Sequence, residues 1–240
     1  MRSVADLEEA IPYYCEVLSL YAPGHPGCSV PLNHLAGVFF TRYEQSGRME
    51  DLEDAITCYH EALSLRPPGH PDRSMYLNNL ANAFFTRYEL SGRKEDLEEA
   101  MTYLRQAFSL RPLGHPDYSM SLSSLVSAVS RGYMQSGRMG DLEEVITYNR
   151  EALGLCPPGH PGRSMPLNNL SSAFFARYEQ LGRMEDLDGA ITCGHEALSL
   201  RPLGHPARPV SLINLANAVL ARYDQSGRME DLEEVIAYHL

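Results

Sequence analysis

Apolar residues recur along this chain with a helical period, and the pattern itself then recurs. Between positions 50 and 65, Leu52, Ala55, Ile56, Tyr59, Ala62 and Leu63 fall at i, i+3, i+4 and i+7 steps with polar side chains between them. That spacing predicts an amphipathic helix from Glu50 to Leu65. Glu50, Asp51, Glu53 and Asp54 crowd its first turn, where carboxylates complement the positive end of the helix dipole. The run Arg66-Pro67-Pro68-Gly69-His70-Pro71 cannot continue it. A second stripe of Leu77, Leu80, Ala81, Phe84 and Tyr88 predicts another helix reaching Leu90, with Asp72 or Ser74 as its cap. Ser91-Gly92-Arg93 reads as a tight turn in which Gly92 suits a left-handed position.

This two-helix unit repeats. Gly-His-Pro begins at Gly24, Gly69, Gly114, Gly159 and Gly204, a constant step of 45 residues. Asp-Leu keeps the same step from Asp6 through Asp51, Asp96, Asp141, Asp186 and Asp231, and Gly-Arg keeps it from Gly47 to Gly227. Units therefore start near positions 6, 51, 96, 141 and 186, with a partial unit over 231–240. Without the repeat, 240 residues would suggest one or two globular domains. With it, each hairpin has one apolar face and no core of its own, so neighbours must stack. The expectation is an all-α fold, a superhelical solenoid of antiparallel helix hairpins with about eleven helices, spanning 1–240 as a single domain.

Charge and cysteine usage narrow the function. A formal net charge of −11 argues against a nucleic-acid binder and against docking on anionic lipid. Much of it is the recurring acidic cluster at a helix start, so it describes the unit more than the partner. Lys94 is the only lysine. No apolar run reaches the roughly 20 residues of a membrane helix, and Met1 to Leu20 lacks the apolar core of a signal peptide. Cys15, Cys28, Cys58, Cys156 and Cys193 are odd in number and share no close spacing, which reads as a reduced, cytoplasmic protein.

Leu77-Asn78-Asn79-Leu80-Ala81 followed by Phe84, then Ala100, Ala107 and Pro112, resembles a tetratricopeptide repeat with a lengthened helix pair. The Leu-Asn-Asn-Leu-Ala string and the His-Pro-Asp loop are similar to the kinesin-light-chain type. The long, near-identical unit also resembles fungal arrays that precede a CHAT peptidase-like domain. The resemblance implies a protein-protein interaction scaffold without catalysis or cofactor, binding a peptide or partner protein on the concave face. Two rival readings are a sensor or substrate-docking region of a larger CHAT-type peptidase, and a structural array that self-associates end to end.

Several residue sets invite a chemical reading. His25, His70, His115, His160 and His205 suggest metal ligation, but one histidine per repeat cannot converge on an ion; each His-Pro is expected to fix its loop. Cys58 and Cys193 share a column with Tyr13, Tyr103, Tyr148 and Tyr238, which reads as packing, not a nucleophile. Glu98-Glu99 and Glu143-Glu144 are expected to face solvent. Arg42, Arg87, Arg177 and Arg222 recur near a hairpin end and are expected to pair with glutamates. No catalytic or metal residue is assigned.

The asparagines carry the functional expectation. Three columns of the second helix lie beside its leucine stripe. The first holds Asn33, Asn78, Ser123, Asn168 and Ile213; the second His34, Asn79, Ser124, Asn169 and Asn214; the third Gly37, Asn82, Ser127, Ser172 and Asn217. Asparagine is a poor helix former, and its amide offers both donor and acceptor to a peptide group. The family resemblance implies that such positions bond the backbone of an extended peptide. The expected concave binding set is Asn33, His34, Asn78, Asn79, Asn82, Arg131, Asn168, Asn169, Asn214 and Asn217. The alternative is that these amides bond neighbouring helices. The third repeat departs from its siblings, with Arg131 the unique groove charge and Gly132 inside a helix. Pro12 is expected to shorten or fray the first helix. The half-helix from Asp231 is expected to continue into a longer protein or pair with another copy.

Overall fold

The structure, a computed structural model, describes residues 4–231 and 233. Among them it contains ten α-helices and no strand: α1 Val4–Ser19, α2 Ser29–Ser46, α3 Met49–Ser64, α4 Arg73–Ser91, α5 Lys94–Ser109, α6 Tyr118–Ser136, α7 Met139–Leu155, α8 Ser164–Leu181, α9 Met184–Ser199 and α10 Arg208–Ser226. The chain divides into two compact units, Met1–Ala128 and Val129–Leu240, the boundary falling within α6. In each unit, successive helices joined by short loops pack in pairs, the arrangement expected of tetratricopeptide-like hairpins. The partial unit after Asp231 lies, Glu233 apart, outside the described residues.

The helical stripes become the core. In the first unit Leu52, Ala55, Ile56, Tyr59, Ala62 and Leu63 of α3 meet Leu32 and Ala36 of α2 and Tyr76, Leu77, Leu80 and Ala83 of α4. In the second, Leu142, Val145 and Ile146 of α7, Leu167 and Leu170 of α8, Leu187 and Ala190 of α9, and Leu215 of α10 are buried in the same periodic way. Apolar burial of this kind, at about 25 cal/mol per Å², is what holds each pair together.

Two connections alternate. After each even helix the backbone turns through a left-handed glycine, as at Gly92 with φ 69°, whose N–H donates to the Tyr88 carbonyl at 2.8 Å. The longer loop before each even helix is organised by its histidine. His25 Nδ1 accepts from Gly27 N–H at 3.0 Å, and His70, His115, His160 and His205 accept in the same way from the residue two positions on. The loop-fixing reading of the histidines holds. The expected cap does not: Asp72, at φ −83° and ψ −5°, lacks the extended backbone of a capping residue and makes no side-chain cap bond, and Ser74 lies inside α4 with its Oγ accepting from Arg111 Nε at 3.1 Å.

Pro12 does not shorten α1, which runs through it for 16 residues, the same length as α3. Pro12 and Glu8, whose carbonyl loses its helical partner, are both exposed, so water can replace the missing bond.

The recurring arginines take a partner other than the one expected. Arg42, Arg87, Arg177 and Arg222 each grip an aspartate nine positions on, Asp51, Asp96, Asp186 or Asp231, through both carboxylate oxygens. Glutamates are secondary: Glu53 meets Arg87 at 2.5 Å and Glu143 meets Arg177 at 2.8 Å, each from the preceding odd helix. From Asp51 onward the aspartate of each Asp-Leu pair is thus buried and ion-paired, so dipole complementarity is only part of its role. In the third repeat Gly132 stands where the arginine would be. Asp141 is held instead by Arg138 Nε at 3.1 Å and Ser136 Oγ at 3.1 Å.

Candidate functional site

The even helices α2, α4, α6, α8 and α10 carry the asparagine columns, and the structure separates those columns by burial. The asparagines of the first column point inward, while Ser123 and Ile213 of the same column are exposed. Asn33 and Asn78 are buried. Asn78 Nδ2 donates to the Ser74 carbonyl at 2.9 Å and to Ser121 Oγ at 3.5 Å, linking α4 to α6. In the second unit, half-buried Asn168 accepts on Oδ1 from Arg201 Nη1 at 3.2 Å, Ser211 Oγ at 3.0 Å and Asn214 Nδ2 at 3.5 Å. The alternative role, bonding neighbouring helices, is what these amides perform.

The second column sits at the rim. Asn79 Nδ2 donates to Asn33 Oδ1 at 3.0 Å, which leaves the Asn79 Oδ1 as an acceptor. Asn169 Nδ2 donates to Asn149 Oδ1 at 3.1 Å. Asn79, Asn169 and Asn214 are half-buried, whereas His34 is exposed with its ring 6.0 Å from Tyr14, edge to face. The third column is outermost: Asn82 and Asn217 are exposed, as is Arg131 one helix along. Of the ten predicted residues, His34, Asn79 and Asn82 of the first unit and Arg131, Asn169, Asn214 and Asn217 of the second present an edge of the side chain outward.

Three of the ten meet at one cavity. A space of about 430 Å³ opens between α1, α2, α3 and α4, lined by Leu7, Tyr14, Asn33, His34, Gly37, Val38, Thr41, Tyr59 and Asn79. The asparagine columns bring Asn33, His34, Gly37 and Asn79 to it. Its tyrosines come from the odd helices, whose corresponding column reads Tyr14, Tyr59, Leu104, Asn149 and Gly194. That variation, in a chain of otherwise similar units, was the available signal for their involvement. Burial pushes the Tyr59 hydroxyl up to about 12, with Glu44 and Cys58 adding to the effect, so it stays protonated as a donor at neutral pH.

Arg111 and Arg201 are structural. Arg111 is buried and donates to Ser74 Oγ at 3.1 Å and to Ser121 Oγ; desolvation lowers its pKa. Arg201 plays the same part with Ser211, at 2.5 Å, and the Ser164 carbonyl. Cys58 is held up at about 11, chiefly by burial, and Cys193 is raised for the same reason, so both remain protonated packing thiols. Among the described residues no cluster of histidine, cysteine and carboxylate could hold a metal ion. No helix there is long and apolar enough to cross a membrane.

Comparison with known proteins agrees with this geometry. Residues 32–72 and 74–117 match the family model of the tetratricopeptide repeat. The fold is similar to a crystal structure of nearly identical TPR-like repeats from a Podosopora anserina protein named for kinesin light chain. Identity is 21%, with 90% of this chain and 96% of that one covered at a TM-score of 0.57. It is also similar to BtubC (BKLC) from P. vanneervenii, at 16% identity over 98% of this chain and 89% of that one, with a TM-score of 0.59. Among curated proteins none matches the sequence. Two of the repeats match the family model, and the likeness to the solved structures is one of fold.

Proposed function

We propose that this chain of tetratricopeptide-like repeats is a scaffold that holds an extended peptide, or an extended segment of a partner protein, along the face that α2 and α4 present in the first unit. The observation that carries the reading is Asn79. One amide N–H is spent on Asn33, and the Oδ1 acceptor is left at the rim of the 430 Å³ cavity. One helical turn further on, Asn82 is exposed. An amide that both donates and accepts matches a peptide group whatever side chain that group carries. Buried Asn33 and Asn78 supply rigidity beneath it, which lowers the ordering cost of binding.

The test must spare that buried column, because replacing Asn78 removes bonds between α4 and α6 and weakens the fold itself. The full chain is screened on an array of random peptides, and binders are titrated against the double variant Asn79→Ala with Asn82→Ala. About a tenfold or greater loss of affinity is expected from two lost amide contacts. Unchanged affinity in a variant with native helical content overturns the groove.

A further inference from the structure

We infer that the cavity between α1 and α4 receives a cationic side chain, arginine or lysine, from the bound segment; the inference rests on the peptide-binding reading above. The space exists because of one residue. Gly37 stands in the column of Asn82, Ser127, Ser172 and Asn217, and a Cβ built on it would lie 3.7 Å from the Tyr59 hydroxyl. A longer side chain there would extend into the volume over that hydroxyl. The cavity is therefore a feature of the first repeat that its siblings' residues do not reproduce.

The lining selects by charge. Tyr14, His34 and Tyr59 present three rings, and a guanidinium or ammonium group is attracted to such faces. Asn79 Oδ1 is a hydrogen-bond acceptor, and Thr41 Oγ1, whose own proton goes to the Gly37 carbonyl at 2.8 Å, accepts as well. Leu7 and Val38 give the aliphatic stem of an arginine or lysine apolar surface to lie on. No lysine or arginine lines the cavity. Arg42, on the same helix, is neutralised by both oxygens of Asp51. The carboxylates acting around it, Glu8 and Asp54 on Arg42 and Glu44 on Tyr59, leave the local field negative, in a chain of net charge −11. A carboxylate ligand would meet that field unpaired, and a purely apolar one would cover the half-buried acceptors Asn79 Oδ1 and Thr41 Oγ1 without giving them a donor.

The experiment titrates N-acetyl-arginine-N-methylamide and its lysine, norleucine and glutamate counterparts into the ¹⁵N-labelled full chain, following backbone amides by NMR. Arginine and lysine amides are expected to give saturable shifts at Gly37, Thr41 and Tyr59, and to bind about tenfold or more tighter than the norleucine and glutamate amides. Gly37→Asn, a residue this column already uses on α4, is expected to abolish those shifts while leaving the rest of the spectrum in place. Equal binding of norleucine, shifts that persist in Gly37→Asn, or no shifts at these positions would each overturn the inference. The peptide array separates this failure from failure of the scaffold. Peptides captured without basic preference, insensitive to Gly37→Asn but lost in the Asn79/Asn82 double variant, would sink the cation pocket and leave the scaffold standing.

Discussion

Arg87 of α4 clasps Asp96 in the first turn of α5 through both carboxylate oxygens, Nε to Oδ2 at 2.9 Å and Nη2 to Oδ1 at 2.7 Å. The same guanidinium reaches back to Glu53 of α3 at 2.5 Å and lies 5.2 Å from the centroid of the Phe84 ring. One side chain thereby ties three successive helices. The fork geometry of arginine suits this, since its planar donors match a carboxylate bidentately and its face packs on an aromatic ring. Arg42 and Arg177 repeat the arrangement over Phe39 and Phe174. The joint between hairpins is therefore an electrostatic clamp set in an aromatic seat.

Removing one partner of a buried pair costs more than the pair itself contributes. Asp96 is 2% exposed, so Arg87→Ala strands a carboxylate away from water. We expect a loss of about 3 kcal/mol, read from the urea midpoint of unfolding. Arg87→Lys keeps the charge but not the fork, and an intermediate loss is expected. A variant Arg87→Ala as stable as the parent would remove the clamp from the account of this fold.

The third repeat supplies the contrast. Its aspartate, Asp141, is held by Arg138, a side chain 57% exposed, and by Ser136. The pair is screened by solvent from its arginine side and Asp141 keeps the Ser136 hydroxyl when Arg138 is lost, so its contribution stays near the surface range of about 0–1 kcal/mol. Arg138→Ala is therefore expected to cost under about 1 kcal/mol, well below Arg87→Ala in the same urea titration. Equal losses would mean that Arg138 substitutes fully for the missing clamp.

The helices, the 45-residue unit and the inward stripes were all legible in the sequence, because Leu77, Leu80 and their equivalents obey a periodicity that only a helix buries on one side. The clamp was not. Asp51 carries the ordinary signature of a first-turn acid, and its partner Arg42 lies nine positions away across a turn, a spacing no helical neighbour rule describes. The loop histidines hid their role similarly, since imidazole is not among the usual caps, and its reach to the N–H two positions on depends on the local turn. For the candidate site the columns were visible but their burial was not. Asn78 and Asn79 differ by one residue, about 100° of rotation, and which one turns inward depends on where the neighbouring helix sits. The tyrosines of the cavity come from α1 and α3, so only packing brings them to the asparagines.

The histidine caps make a prediction of their own. His205 Nδ1 accepts from the Ala207 N–H at 3.1 Å just before α10 begins. His205→Ala leaves that donor without its partner, and a loss of about 1 kcal/mol is expected, typical of a removed helix cap. His205→Asn places an acceptor oxygen at a similar reach and is expected to restore most of it. Thermal melting of the two variants beside the parent decides the matter: equal destabilisation would assign the histidine a packing role instead.

Alkaline stability tests burial along α3, at Cys58 and at Tyr59 of the cavity wall. Burial pushes the Cys58 thiol up from about 9 to about 11, with Asp54, Glu61 and Cys15 adding to the effect. Because the folded value lies above the unfolded one, the folded state favours the protonated thiol. Its contribution is fully present below pH 9 and is lost as pH rises through about 11. Tyr59, raised from 10 to about 12, has the same sign and acts one step higher in pH. Stability is thus expected to hold to pH 9 and then to fall. Cys58→Ala removes the first of these two losses. Its baseline is lower, from the vacated volume, but between pH 9 and 11 it should lose about 2 kcal/mol less than the parent. Urea midpoints in reductant across that range measure the difference, and parallel curves for parent and variant would show that the thiol does not titrate on unfolding as its burial requires.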